Sequence, residues 1–195
     1  MIAIIDYQAG NITSVVNALA RLGEPSQVTS DPEVLRRATK VIFPGQGAAG
    51  PAMARLREMG LVSLLKEIQV PFLGICLGLQ LLFESSEENE IQGLGVVPGR
   101  VTRLEGEGLK IPHMGWNTVE QAGSSPLFAS IPNHAFFYFV HSYAAPLLPE
   151  ETIGVTRYGI PFTAAFQRDN IFGVQFHPEK SGDVGLQLLS NFMAL

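Results

Sequence analysis

The stretch Val70–Phe83, VPFLGICLGLQLLF, constrains the fold more than any other part of the chain. An apolar run opening with Pro71 passes through Gly74 into Cys76, Gly78 follows two residues later, and an apolar helical pattern continues beyond it. That order reads as a buried strand, a tight turn and a helix. Glycines on both sides of one residue suit a turn so sharp that a side chain would clash or a positive φ is needed. A residue there stands proud of the sheet with a helix N-terminus just behind it. The same logic explains the G-x-S-x-G elbow, here with a thiol in place of the hydroxyl. The partial positive charge at the helix start favours thiolate, the reactive form. On these residues alone, two readings of Cys76 stand level: an activated nucleophile and an inert core cysteine.

The flanking sequence supplies the rest of an α/β pattern. Ile2–Ile5 is a short, wholly apolar strand, as expected in the middle of a parallel sheet. After a loop at Tyr7–Asn11, the residues Ile12, Val15, Val16, Leu19 and Leu22 recur at helical spacing and Gly23 closes the helix. Pro25–Val28 is a second strand, and Asp31-Pro32 caps a short helix over Glu33–Ala38. Val41–Phe43 is a third strand ending in Pro44-Gly45-Gln46-Gly47, followed by a helical stretch over residues 51–67 interrupted at Gly60. Four strand–helix alternations predict an α/β fold of three layers, a mostly parallel central sheet flanked by helices, with its site at the carboxyl ends of the strands. Gly45–Gly47 and Cys76 both fall at such ends.

The second half changes character. Short strands at Val96–Leu104, Asn117–Glu120, Ala135–Val140, Ile153–Arg157, Thr163–Gln167 and Ile171–Gln175 read as a β-rich, antiparallel extension of one edge of the sheet. Val184, Leu188, Leu189, Phe192 and Met193 form the apolar face of a terminal helix. Ser85–Glu90, SSEENE, reads as a solvated acidic loop. With no repeat and no linker, residues 1–195 are expected to form a single domain.

Composition excludes several classes. A net charge of −5 without a basic stripe argues against nucleic acid. One cysteine permits no internal disulfide, which points to a reducing, cytoplasmic setting. MIAIID meets Asp6 too early for a signal peptide, and no apolar run is long enough to span a bilayer.

A thiol nucleophile needs a base, an orienting acid and an oxyanion pocket. Among His113, His134, His141 and His177, the last stands in Phe176-His177-Pro178-Glu179. Pro178 biases His177 to extended geometry, and residues two apart on an extended segment share a face. Glu179 then sits where it can fix the imidazole tautomer, the third member of a triad. His141 reads equally well as a hydrogen-bonded core histidine. No metal-site spacing and no P-loop is present, and no cofactor is expected.

Taken together, PGQG after the third strand, GICLGLQ around Cys76 and GVQFHPEKS at Gly173–Ser181 resemble the three signatures of the class I (triad) glutamine amidotransferases, in that family's order and approximate spacing. IDYQAGN at Ile5–Asn11, IPHMGWN at Ile111–Asn117 and YFVHSY at Tyr138–Tyr143 resemble the branch that serves histidine biosynthesis. The resemblance implies that Cys76 attacks the side-chain amide of glutamine, that His177 is the base and that Glu179 orients it. It implies an oxyanion hole from the amides of Leu77 and the Gln46–Gly47 segment after a peptide flip. Gly45, Gln80, Glu88, Ser142 and Tyr143 would hold the substrate glutamine, with Glu88 against its ammonium group. For Glu88 the resemblance overrides the solvated reading of its loop.

The resemblance further implies that ammonia passes directly to a cyclase subunit of (β/α)8-barrel fold, a separate chain, in a heterodimer. The loops at Asn11, Pro44–Gly47, Met114–Asn117 and Lys180 would face it, with Trp116 as an anchor. Two positions depart from the family pattern: Gln8 stands where relatives commonly carry glycine, and Gln46 where many carry a small apolar residue. Gln46 is expected to alter how readily the peptide flips. Alternative readings are a glutaminase of another amidotransferase such as pyridoxal phosphate synthase, a stand-alone cysteine hydrolase, or a non-catalytic binding module with Cys76 in its core.

Overall fold

A computed structural model describes residues 1–8, 12–45 and 47–195. The first half follows the α/β alternation: β1 (Ile2–Ile5), α1 (Ile12–Arg21), β2 (Ser26–Thr29), α2 (Pro32–Arg37), β3 (Lys40–Phe43), α3 (Ala49–Glu58), α4 (Leu61–Lys66) and β4 (Phe72–Ile75). Asp31 caps α2 by accepting from the Glu33 N–H at 2.8 Å, and Pro32 occupies its first turn. Gly60, at φ 66°, separates α3 from α4, so the expected interrupted helix is two helices.

Because the strands alternate sides, each feeds two cores. Ile2 and Ile4 join a cluster with Val15 and Leu19 of α1, whereas Ala3 and Ile5 join one with Leu35 of α2, Leu56 of α3 and Leu65 of α4. The last helix, α6 (Gly182–Met193), buries Leu188, Leu189 and Phe192 in the first cluster, beside α1. Helices therefore cover both faces of the sheet, giving the expected three layers.

Past β4 the structure departs from expectation in four places. The helix after Cys76, α5, spans only Leu77–Gln80, and the chain re-enters a strand at β5 (Phe83–Ser86). Phe83 is fully buried, its ring edge-on to Phe166 at 5.9 Å, so an apolar residue assigned to a helix face serves a second core instead. SSEENE is then no simple solvated loop: Ser86 is buried in β5, and Glu88–Glu90 form a 3-10 turn.

The strands β6 (Ile91–Gln92), β7 (Val97–Arg103) and β10 (Tyr143–Ala144) join β5 in a separate four-stranded sheet, ordered β10-β7-β5-β6. The segment expected at 96–104 thus lies outside the main sheet. The remaining strands are β8 (His113–Gln121), β9 (Ala135–His141), β11 (Thr152–Tyr158), β12 (Ile160–Arg168) and β13 (Ile171–Val174). They extend the main sheet into nine strands, β2-β1-β3-β4-β13-β12-β11-β8-β9. β13 pairs parallel with β4, so it completes the parallel half rather than joining the antiparallel extension. From β13 outward every pairing is antiparallel, so the large sheet is mixed: a parallel half, β2-β1-β3-β4-β13, that carries the expected antiparallel extension at one edge. No helix among the described residues is long and apolar enough to cross a membrane.

Candidate active site

Cys76 sits between β4 and α5 at φ 53°, ψ −108°, a left-handed conformation that only a tightly determined turn holds in a non-glycine residue. Its N–H is fixed to the Val174 carbonyl of β13 at 2.7 Å. The positive φ therefore belongs to the cysteine, and the flanking glycines serve close approach. A Cβ on Gly78 would lie 2.0 Å from the Phe43 carbonyl oxygen, and one on Gly45 would lie 2.4 Å from the Gly78 nitrogen. Backbone meets backbone where the ends of β3 and β4 converge. The Leu77 N–H opens the first turn of α5, where no preceding carbonyl is available to it within the helix.

His177 follows β13 in extended geometry, φ −102° and ψ 96°, as the following proline requires. Its N–H donates to the Tyr138 carbonyl of β9 at 2.9 Å. Ser181 Oγ completes the clamp, donating to the His177 carbonyl at 2.6 Å and accepting from the Tyr138 N–H at 3.0 Å. Glu179 reaches His177 as expected, but through a different geometry. Pro178–Lys180 is a 3-10 turn, and the turn rather than strand alternation brings the carboxylate round.

His177 Nδ1–H donates to Glu179 Oε1 at 2.8 Å, with both side chains almost wholly buried. His177 Nε2 and Glu179 Oε2 are buried without a hydrogen-bond partner. Burial alone lowers the affinity of the ring for its proton. The nearby charges of Cys76 and Glu179, with the hydrogen bond to Glu179, outweigh it and raise the His177 pKa to about 10. A buried imidazole held by a carboxylate on one nitrogen and turned to a sulfur with the other is the arrangement in which a ring can take a thiol proton.

These groups border a cavity of about 400 Å³, within the range that holds a small metabolite. Gly45, Gly47, Leu77, Gln80 and Glu88 line it, as do Ser142, Tyr143 and Lys180. Glu88 Oε2 accepts from the Ala49 N–H at the start of α3 at 2.9 Å, and burial raises its pKa. Of the residues expected here, Gln46 lies outside the described residues.

Of the expected partner-facing set, Lys180 borders the cavity. Asn11 also lies outside the described residues. Residues 114–117 are not a loop but part of strand β8, opposite residues 137–140 of β9. Met114 and Trp116 are 64% and 56% exposed, so the lone tryptophan is a surface residue. Asn117 lies on the other face of β8, its amide donating to the Arg157 carbonyl at 3.1 Å and bonded to His113 Nε2 at 3.3 Å.

Sequence reasoning missed one contact to Cys76. Gln175 is wholly buried, and its Nε2 donates to Cys76 Sγ at 3.5 Å. The signal was present, since a glutamine inside the apolar run Val174–Phe176 needs a buried partner. His141 proves to be a hydrogen-bonded core histidine, paired with His113 at 3.0 Å and also bordering the cavity.

The family model "Glutamine amidotransferase class-I" matches residues 3–195. Imidazole glycerol phosphate synthase subunit HisH of Moorella thermoacetica is 53% identical, covering 98% of this chain and 93% of that protein. The protein of the same name from Yersinia pseudotuberculosis is 47% identical over 100% of this chain and 99% of its own. Among solved structures, a putative GMP synthase protein from Thermoplasma acidophilum covers 99% of this chain and 92% of its own, with a TM-score of 0.77 at 19% identity. A structure described as a glutamine amidotransferase covers 98% of both chains, with a TM-score of 0.75 at 20% identity. At those identities the structural likeness speaks to the fold. The family model and the relatives at about half identity carry further, and the chain belongs to the class-I glutamine amidotransferases.

Proposed function

We propose that this chain is the glutaminase subunit of imidazole glycerol phosphate synthase in histidine biosynthesis, a single cytoplasmic amidotransferase domain that works with a separate cyclase subunit. Two relatives matched over nearly their whole length bear that name. The observation that carries the mechanism is the His177 ring, bound to Glu179 through Nδ1 and left with an unpartnered, buried Nε2 beside Cys76.

Cys76 Sγ, having lost its proton to His177 Nε2, attacks the side-chain carbonyl carbon of glutamine. The tetrahedral oxyanion is held by the Leu77 N–H, with an amide of the Gln46–Gly47 segment as second donor; removing one such donor typically costs about 10²–10³ in rate. His177 gives its proton to the leaving nitrogen, ammonia departs and a thioester remains on Cys76. The neutral ring then takes a proton from water, hydroxide adds to the thioester and glutamate leaves as the thiolate reforms. Gln80, Glu88, Gly45 and the backbone of Ser142 and Tyr143 hold the amino-acid end, with Glu88 facing the ammonium group.

Ammonia passes to a (β/α)8-barrel cyclase bound as a heterodimer, which makes imidazole glycerol phosphate and an aminoimidazole carboxamide ribotide. Exposed Met114 and Trp116, together with Lys180, Asn117 and Asn11, belong to the contact region. Asn117 contributes there through the strand it braces, because its amide is engaged within the chain. The test is glutamate release from glutamine by the chain alone and with a cyclase subunit plus its ribonucleotide ligand. Low basal activity, strong stimulation and its loss in Cys76→Ala are expected. Activity surviving in Cys76→Ala would sink the mechanism, and Cys76-dependent activity without stimulation would assign the chain a different partner.

A further inference from the structure

We infer that Gln175, His141 and His113 are positioning residues of the glutaminase site, joined with Gln80 in one hydrogen-bonded chain that runs from Asn117 on β8 to the Cys76 sulfur. The inference rests on the glutaminase reading above.

The directions along the chain follow from one acceptor. The Tyr143 carbonyl holds no proton, so both groups on it must donate: His141 Nδ1 at 2.7 Å and Gln80 Nε2 at 2.8 Å. Burial lowers the pKa of His141 to about 3 and that of His113 to about 4, so both rings are neutral. With its proton on Nδ1, His141 presents Nε2 as an acceptor, and His113 Nδ1 must donate to it across 3.0 Å. His113 Nε2 then accepts from Asn117 Nδ2. The Asn117 amide is itself oriented, because its Oδ1 accepts from the Thr118 N–H at 2.8 Å.

In the other direction, Gln80 Nε2 also donates to Gln175 Oε1 at 2.9 Å. That leaves Gln175 Nε2 facing the sulfur. A flipped Gln175 would set two amide nitrogens against each other and its oxygen against Sγ. The chain therefore keeps a donor aimed at the nucleophile and keeps Gln80 fixed where it lines the cavity.

The roles are separable. Gln175→Glu retains the acceptor for Gln80 and loses the donor at sulfur. It should slow iodoacetamide labelling of Cys76 at neutral pH by about tenfold and lower kcat in the cyclase complex by a similar factor, with KM for glutamine little changed. His141→Leu removes the donor that fixes the Tyr143 carbonyl on which Gln80 rests, and should raise KM by about tenfold. His141→Asn, whose amide nitrogen replaces Nδ1, should return KM to within about threefold of the parent. Independently of any variant, ¹⁵N NMR of the parent protein should show both rings as Nδ1–H tautomers.

An Nε2–H tautomer at either ring would overturn the inference. So would unaltered labelling and kcat in Gln175→Glu, or equal impairment of His141→Asn and His141→Leu, which would mark a packing role. A parent protein lacking Cys76-dependent glutaminase would instead sink the functional reading, while the tautomers and labelling rates still judge the chain.

Discussion

Gly78→Ala adds one methyl group where the structure has least room. Its Cβ would stand 2.0 Å from the Phe43 carbonyl oxygen, against an ordinary contact of 3.4 Å or more, so the two segments must separate by over 1 Å. Neither side is a flexible side chain. Phe43 is the end of β3, paired with Gly74 of β4, and Gly78 belongs to the turn that carries Cys76. Overpacking costs about 1–3 kcal/mol where side chains share the strain, and rigid backbone on both sides puts this site at the top of that range, about 3 kcal/mol. Alanine returns about 1 kcal/mol through helix propensity. The net loss is about 2 kcal/mol, or a fall in Tm of about 4–8 °C for a chain of this size.

Activity should suffer more than stability, because the displaced turn holds both the nucleophile and the Leu77 N–H. A misplacement near 1 Å costs about 10² in rate. Gly123→Ala is the matched control: Gly123 sits at φ +78° with nothing within 4 Å of an added Cβ, so alanine there meets backbone strain alone, about 1 kcal/mol. Urea unfolding and stimulated glutamate release, measured on both variants, separate the effects. If Gly78→Ala keeps its rate within twofold of the parent, or loses no more than Gly123→Ala, the argument that glycine is required there by contact is wrong.

The His177 ring should hold its proton through neutral pH. Because the shift is upward, from 6.5 to about 10, NMR of the ring should show a charged imidazole at pH 8 that titrates near 10. In Cys76→Ala burial is opposed by Glu179 alone, so the titration should move down by more than one unit; an unchanged midpoint would remove Cys76 as a cause. Gln8, at φ 61°, adopts the conformation in which glycine is unstrained, and its side-chain oxygen accepts from Arg55. Gln8→Ala keeps the strain and loses that bond, so it should destabilise by about 1 kcal/mol, whereas in Gln8→Gly the two effects offset to within about 0.5 kcal/mol; equal losses by denaturant unfolding would contradict this.

The first half was legible because its signals are local. Apolar periodicity gives α1, the Asp31-Pro32 pair gives the start of α2, and Gly60 gives the break between α3 and α4. What escaped was set by partners distant in the chain. Nothing near Ile171–Val174 states that it will lie beside Phe72–Ile75, about a hundred residues earlier, in parallel rather than antiparallel pairing. Phe83 reads as one more apolar residue of a helix until β7 supplies a strand beside it. The grouping of Cys76, His177 and Glu179 was readable from their residue types, and the turn that delivers Glu179 was not. Gln175 escaped because a buried amide is explained only by its partners Cys76 and Gln80, about a hundred residues earlier at the β4–α5 turn.

That same β4–β13 pairing sets the chemistry. Ile75 stands opposite Val174, so the chain leaves the two strands level, with Cys76 beside Gln175 and His177 two residues further on. A slip of one residue would turn the His177 ring to the other face of the sheet and part it from Cys76. The His177 backbone is held in turn by Tyr138 on β9, whose ring meets exposed Trp116 edge-on at 6.0 Å across the β8–β9 pair. One residue thus holds the triad base through its carbonyl and offers its ring to the outer face. The exposed surface at Trp116 is thus joined to the His177 backbone through a single residue, by one ring contact and one hydrogen bond.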